Sequence, residues 1–285
     1  MRRRIGGTNL ALILVLAVAA SAVAEERKEF HYKVHRRASI SIFNQYGPIS
    51  VKPTNGHQVV VTAILSSDKV EIDQSQGGNR VKISSRLLAG ADVDSGRVDY
   101  EVLVPSNANV TLHSATGPLH AEKLHGDIFL EGNTADVEVR DIADSHVHVR
   151  TLKGPVTLSN VSDGHVEITS VSGDISLKSV SGSLVQVNST SGNIHYDGDF
   201  GGSGEYSLMT HTGDIEATTP AYASIDVYAH SEQGKVENDF LLQPSPTSLM
   251  ARAGSAFAGT VGKAASSVRL LSFSGKIHLK KRSTN

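Results

Sequence analysis

Between Gly117 and Gly192 the chain repeats itself every nine or ten residues, and no other feature constrains the fold as much. Clear copies are Gly154-Pro-Val-Thr-Leu, Gly164-His-Val-Glu-Ile, Gly173-Asp-Ile-Ser-Leu and Gly192-Asn-Ile-His-Tyr. Each opens on glycine and places apolar residues two and four positions later. That alternation puts Val156 and Leu158 on one face of a strand and Thr157 on the other. Glycine opens the turn, where positive φ or close packing costs least. Every second glycine completes a larger unit, since Gly154, Gly173 and Gly192 are spaced 19 residues apart. A unit of that size cannot bury its own apolar face, so it stacks on its neighbours.

The pattern reaches well beyond its centre. Aliphatics recur two residues after glycine at Ile49, Leu119, Ile128, Ile215, Val236 and Ile277. Gly182-Ser-Leu-Val slips by one residue, the mark of a β-bulge. Short strands with regular turns also describe an antiparallel sandwich. The fixed period and the recurring Val-Ser-Gly favour an all-β chain built as a parallel β-solenoid with turns of about 19 residues. Residues 25–105 hold longer, looser strands and are expected to form an N-terminal β cap continuous with the solenoid, since an open edge would recruit other strands. Residues 106–281 carry the repeats, and 282–285 form a tail. An irregular excursion is expected at 241–265, with a weak helical patch near Leu249, and a flexible one at Asp197–Gly204. Val268 to Leu279 returns to the strand pattern and reads as the last turn.

Arg2, Arg3 and Arg4, an apolar run from Leu10 to Ala20 and Ala22-Val23-Ala24 together read as a signal peptide, residues 1–24, cleaved before Glu25. The run is short for a transmembrane span of about 20 residues, so no integral span is expected after cleavage. The alternative is a retained anchor. With no cysteine in the chain, disulfides, thiolate metal sites and a cysteine nucleophile are excluded. The whole chain has a formal charge of −2, and losing the leader makes it more negative, which argues against nucleic acid as a partner. Aromatic residues make up only 5% and tryptophan is absent, which argues against a strong carbohydrate cleft.

Glu101-Val-Leu-Val-Pro105, followed by Val110-Thr-Leu-His-Ser-Ala-Thr-Gly-Pro-Leu, resembles the passage in a bacterial family where a "vP" strand hands over to "v-S-G-d-I" repeats. The family is a domain of unknown function labelled putative adhesin. The resemblance runs from about Phe30 to Lys280. It implies a secreted or envelope β-solenoid and transfers no catalytic residues.

Among thirteen histidines, one constellation has metal-ligand chemistry. His146 and His148 share a strand face. A 19-residue turn stacks His165 on His146 and Glu167 on His148, which offers ligand types that Zn²⁺, Ni²⁺ or Cu²⁺ accept. The plainer reading makes them outward polar positions, and no metal or other cofactor is expected. Asp127, Asp174 and Asp214 after glycine lack the Gly-Gly-x-Gly-x-Asp pattern of calcium β-rolls and are expected to bond their own turns. For glycoside hydrolysis, Glu167 with Asp174 and Glu216 with Glu237 are the available carboxylate pairs, and neither lies in a cleft-forming loop. No phosphate loop or nucleophile elbow occurs, so no catalytic residue is assigned. The sequence thus predicts a non-catalytic, extracytoplasmic surface-presenting or scaffold protein (periplasmic, cell-surface or secreted) with an envelope or extracellular protein or glycan as ligand. Its long Ser/Thr ladders at turn edges (Ser170, Ser172, Ser179, Ser181, Ser189 and Ser191) suit such a presenting role. The alternatives are a carbohydrate-active β-helix enzyme and an envelope-stress accessory protein.

Overall fold

The computed structural model describes residues 26–283 except 36, 202 and 246–253. The signal peptide and the helical patch near Leu249 lie outside the described residues. Among these residues every long element is a strand. The N-terminal strands are β1 (Glu26–Lys33), β2 (Ser39–Tyr46), β3 (Ile49–Thr54), β4 (Gln58–Leu65), β5 (Val70–Gly77), β6 (Arg80–Leu87) and β7 (Val98–Pro105). The repeats form β8 (Asn109–Thr116), β9 (Leu119–Glu122), β10 (Ile128–Thr134), β11 (Val137–Ala143), β12 (His146–Lys153), β13 (Val156–Ser172), β14 (Ile175–Ser191), β15 (Ile194–Asp197), β16 (Glu205–Thr212) and β17 (Ile215–Thr219). Last come β18 (Ile225–Ser231), β19 (Val236–Asn238), β20 (Ala256–Val261), β21 (Ser266–Ser272) and β22 (Ile277–Lys281).

Pairing arranges these strands as two walls that share β13 and β14, each of which runs through a corner. The first wall has the spatial order β5-β6-β2-β8-β10-β12-β13-β14-β16-β21-β18-β20. The second runs β1-β4-β7-β3-β9-β11-β13-β14-β15-β17-β22-β19. The repeat coils pair in parallel at 18 to 21 residues, as His146↔His165 and Ile175↔Ile194 illustrate. The solenoid expected from the repeat is therefore the fold. Twelve strands at about 4.8 Å spacing make each wall about 53 Å long.

Inward positions form aliphatic columns. Val156, Ile175, Ile194 and Ile215 stack in one, and Val147, Val166 and Val185 in another, all essentially without solvent contact. Burying each such side chain contributes about 1.5–3 kcal/mol. The slip at Gly182 is a real irregularity. Gly164 pairs with Gly182 but His165 with Leu184, so Leu184 turns outward while Val185 enters the core.

Both ends depart from sequence order. The coil β2–β3 is not the outermost one, because β6 and β7 flank it on the side away from β8 and β9. At the other end β21–β22 is not the last turn. It slots between β16–β17 and β18–β19, making parallel ladders to both. Antiparallel strands then close the edges, with β5, β4 and β1 at one end and β20 at the other. The terminal β19 has three residues, and Gln243 bridges the outer edge of β20. Short and covered edges resist recruitment of further strands.

Two further expectations are corrected. The corner around Phe200 is packed, because Phe200 is buried against Tyr196 (ring centroids 4.1 Å apart) and edge-on to Tyr206. The Tyr196 hydroxyl accepts the Phe200 N–H and donates to the Val180 carbonyl, each at 3.0 Å. Part of the 241–265 segment is the strand β20.

The register makes a direct prediction. Ile175→Asp places an unpaired charge between Val156 and Ile194 and should cost several kcal/mol. Ser176→Asp, one residue along and facing out, should change the melting temperature little. Equal melting temperatures would contradict this assignment.

Candidate functional site

The outward rows of the two walls differ in chemistry. On the second wall, Ser50, His120, Glu138, Thr157, Ser176, His195, Glu216, His278 and Glu237 succeed one another by register. Imidazoles in and beside that row meet carboxylates: His120 lies 3.0 Å from Glu138, and His278 lies 2.9 Å from Asp239. The Asp239 carboxyl is held below its usual range, first by the His278 hydrogen bond and then by the Lys281 N–H. Glu237 is lowered chiefly by a hydrogen bond from Lys276. Glu216 and Glu237 are not on successive coils, because the intercalated His278 stands between them.

Rings gather on the first wall. Phe129 stacks on His148 (5.0 Å, 17°), His146 on His165 (4.7 Å, 11°) and His211 on Phe273 (4.7 Å, 15°). The four predicted candidates do come together. His146 pairs with His165 and His148 with Glu167, whose Oε2 is 3.1 Å from His148 Nδ1. Sequence reasoning left out their neighbours Phe129 and Asp127. Both lie one 19-residue period before His148 and His146, so the repeat itself would have found them. Asp127 Oδ1 is 3.9 Å from His146 Nδ1. These residues border a depression of about 460 Å³ that extends over Ser39, Asn109 and Thr111.

The arrangement is poor for a metal. A ring nitrogen binds a cation in the ring plane at about 2.0–2.1 Å. The rings of His146 and His165 lie in near-parallel planes, so one ion cannot sit in both. Among the described residues no group of three His, Cys, Asp or Glu converges on a metal position.

Other side chains play different parts from those expected. Asp174 accepts the N–H of Asn193 in the next coil at 2.9 Å, Asn193 accepts that of Asp214, and Asp214 that of Lys276. These turn residues tie coils together rather than bonding their own turns. Glu167 projects from the first wall, whereas Asp174 sits in the turn leading to the second. Ser170 and Ser189 are buried and face inward, so the presented Ser/Thr ladder loses them. The upward pKa shifts belong to buried tyrosines: burial raises Tyr196, and it pushes Tyr206 up to about 12. Both belong to the hydrophobic core. Among the described residues no helix is long and apolar enough to cross a membrane.

Calorimetry with Zn²⁺ should show only weak binding, above micromolar Kd, unchanged in a His146→Ala/His165→Ala double variant. Submicromolar binding lost in that variant would make this a metal site.

A family model described as Toastrack DUF4097 matches residues 38–280. No curated protein matches the chain. Among solved structures, the chain is similar to a putative adhesin from Bacteroides fragilis NCTC 9343, at 12% identity and TM-score 0.49, covering 91% of this chain and 99% of that one. It is also similar to a putative cell adhesion protein from Clostridium sporogenes ATCC 15579, at 13% identity and TM-score 0.29, covering 90% and 100%.

Proposed function

The chain belongs to the Toastrack DUF4097 family, and from that premise we propose that it is a non-catalytic, extracytoplasmic protein that works by presenting its solenoid walls to an envelope or extracellular ligand. One observation carries this reading. Chemistry-bearing side chains stand in long outward rows, several of them paired with a neighbour on the next coil, and among the described residues none converge as a catalytic set. A general acid and base need carboxylates or imidazoles meeting around one reacting atom. Here the carboxylates displaced from their usual range are surface partners of Lys276 and His278, or of Ser95 in the case of Asp92.

The extracytoplasmic location rests on the leader pattern of residues 1–24. A stack of about 53 Å held by backbone ladders is a rigid platform, and rigidity limits the ordering entropy that binding must overcome.

A glycan and matrix-protein array probed with the purified chain tests the reading. Saturable binding to an array member without any change in that member is the expected result. Release of new reducing ends from a polysaccharide would instead support a carbohydrate-active enzyme.

A further inference from the structure

The depression on the first wall combines two features: an aromatic ring with one open face, and polar groups with free hydrogen-bonding capacity beside it. Phe129 on β10 lies between β8 and β12. Toward β12 it is covered, by His148 at 5.0 Å and by the Arg150 guanidinium at 6.0 Å from its centroid. Toward β8 its register partner is Thr111, whose side chain is too short to cover a phenyl ring. That face borders the depression. Beside it stand Asn109, Ser39 and Asp127, whose carboxylate is more than half exposed. Asn109 Oδ1 accepts the Asp127 N–H at 3.1 Å, which leaves its amide NH₂ as a donor. The Nε2 of His148, at the far wall, is buried without a hydrogen-bond partner.

This lining selects a ligand class by elimination. Asp127 and Glu167 both border the site and repel anions. An apolar ligand would strip water from Asp127 and Asn109 without replacing its hydrogen bonds, which is costly. A metal finds no converging ligands, as shown above. A neutral sugar ring suits the groups on this side of the depression, with its C–H face on Phe129 and its hydroxyls on Asp127, Asn109 and Thr111. The volume, about 460 Å³, lies within the range of small-ligand sites. We propose that this depression is a subsite for a neutral saccharide, with Phe129 as the stacking platform and Asp127 as the hydroxyl acceptor. The proposal rests on the reading of the protein as a ligand-presenting surface and names its ligand. The low aromatic content read from the sequence does not oppose it, because one placed ring suffices for one subsite.

Saturation-transfer NMR and calorimetry with maltotriose, cellotriose and N-acetylchitotriose, each up to about 10 mM, test it on the purified chain. At least one should bind, with signals strongest on the ring C–H protons. Phe129→Ala and Asp127→Asn should each weaken binding at least about tenfold with unchanged melting temperature. Phe43→Ala, on the same wall outside the depression, and Glu216→Gln, on the other wall, should bind like the wild type. Three outcomes would overturn the proposal: no binding of any neutral trisaccharide, binding insensitive to Asp127→Asn and Phe129→Ala, or preference for trigalacturonate over its neutral counterparts. Where the first of these occurs while array binding of a protein ligand survives Phe129→Ala, the ligand-presenting reading stays intact.

Discussion

At the corners of this solenoid, the backbone of one coil occupies the space where the next coil's side chain would begin. A Cβ on Gly173 would lie 2.2 Å from the Gly154 carbonyl oxygen, and one on Gly182 would lie 2.0 Å from that of Gly164. Gly173 also holds a φ of +121°, which other residues rarely adopt. These contacts let successive corners stack at strand spacing, so the ladders of both walls stay in register. The glycine column follows space, not chain order. Gly213 packs on Gly192, the intercalated Gly275 on Gly213, and Gly234 on Gly275. A late segment can therefore slot between two earlier coils, because its corner meets the same steric rule on both sides.

Just inside that corner runs a column of small polar residues. Asn44, Ser114, Thr151, Ser170, Ser189, Thr210, Ser272 and Ser231 are all buried. Several of their side chains bond the turn backbone: Thr210 donates to the Gly192 carbonyl, Ser272 to that of Gly213, and Ser231 to that of Gly275. Turn carbonyls lie off the strand ladders, and buried ones need partners. The Val171-Ser172-Gly173 copy thus has a local cause: Val171 faces solvent, Ser172 donates to the Leu152 carbonyl, and Gly173 makes room for the Gly154 backbone. With the corners and the interior fixed in this way, variation is left to the outer rows. There the two walls diverge, one toward ion pairs and the other toward stacked rings.

Much of this was legible in the sequence because the repeat encodes it. The 19-residue spacing gave the coil, the inward positions of Ile175 and Leu177, the bulge at Gly182, and the His146–His165 and His148–Glu167 neighbours. What escaped was whatever depends on non-local pairing. Intercalation of β21–β22 leaves no local trace, because an inserted coil and a terminal coil carry the same pattern. β5 leaves little trace in the sequence because its Val-Glu-Ile-Asp-Gln-Ser-Gln-Gly run is an exposed edge with little alternation. The corner around Phe200 was misjudged because glycine richness signals flexibility, while one phenyl ring in the core overrides it. The depression beside Phe129 was within reach of the periodicity, yet the low aromatic count argued against looking for it.

The account stands on the steric column, and one pair of variants isolates it. Gly182 and Gly77 both have ordinary φ angles, but a Cβ on Gly182 meets the Gly164 carbonyl whereas one on Gly77 meets nothing within 4 Å. Equilibrium denaturation of Gly182→Ala and Gly77→Ala measures that difference directly. The account predicts a loss of about 2–4 kcal/mol for Gly182→Ala and a change of about 0.5 kcal/mol or less for Gly77→Ala. Equal stabilities for the two variants would contradict it, and the coils would then have to be held at their spacing by the ladders alone.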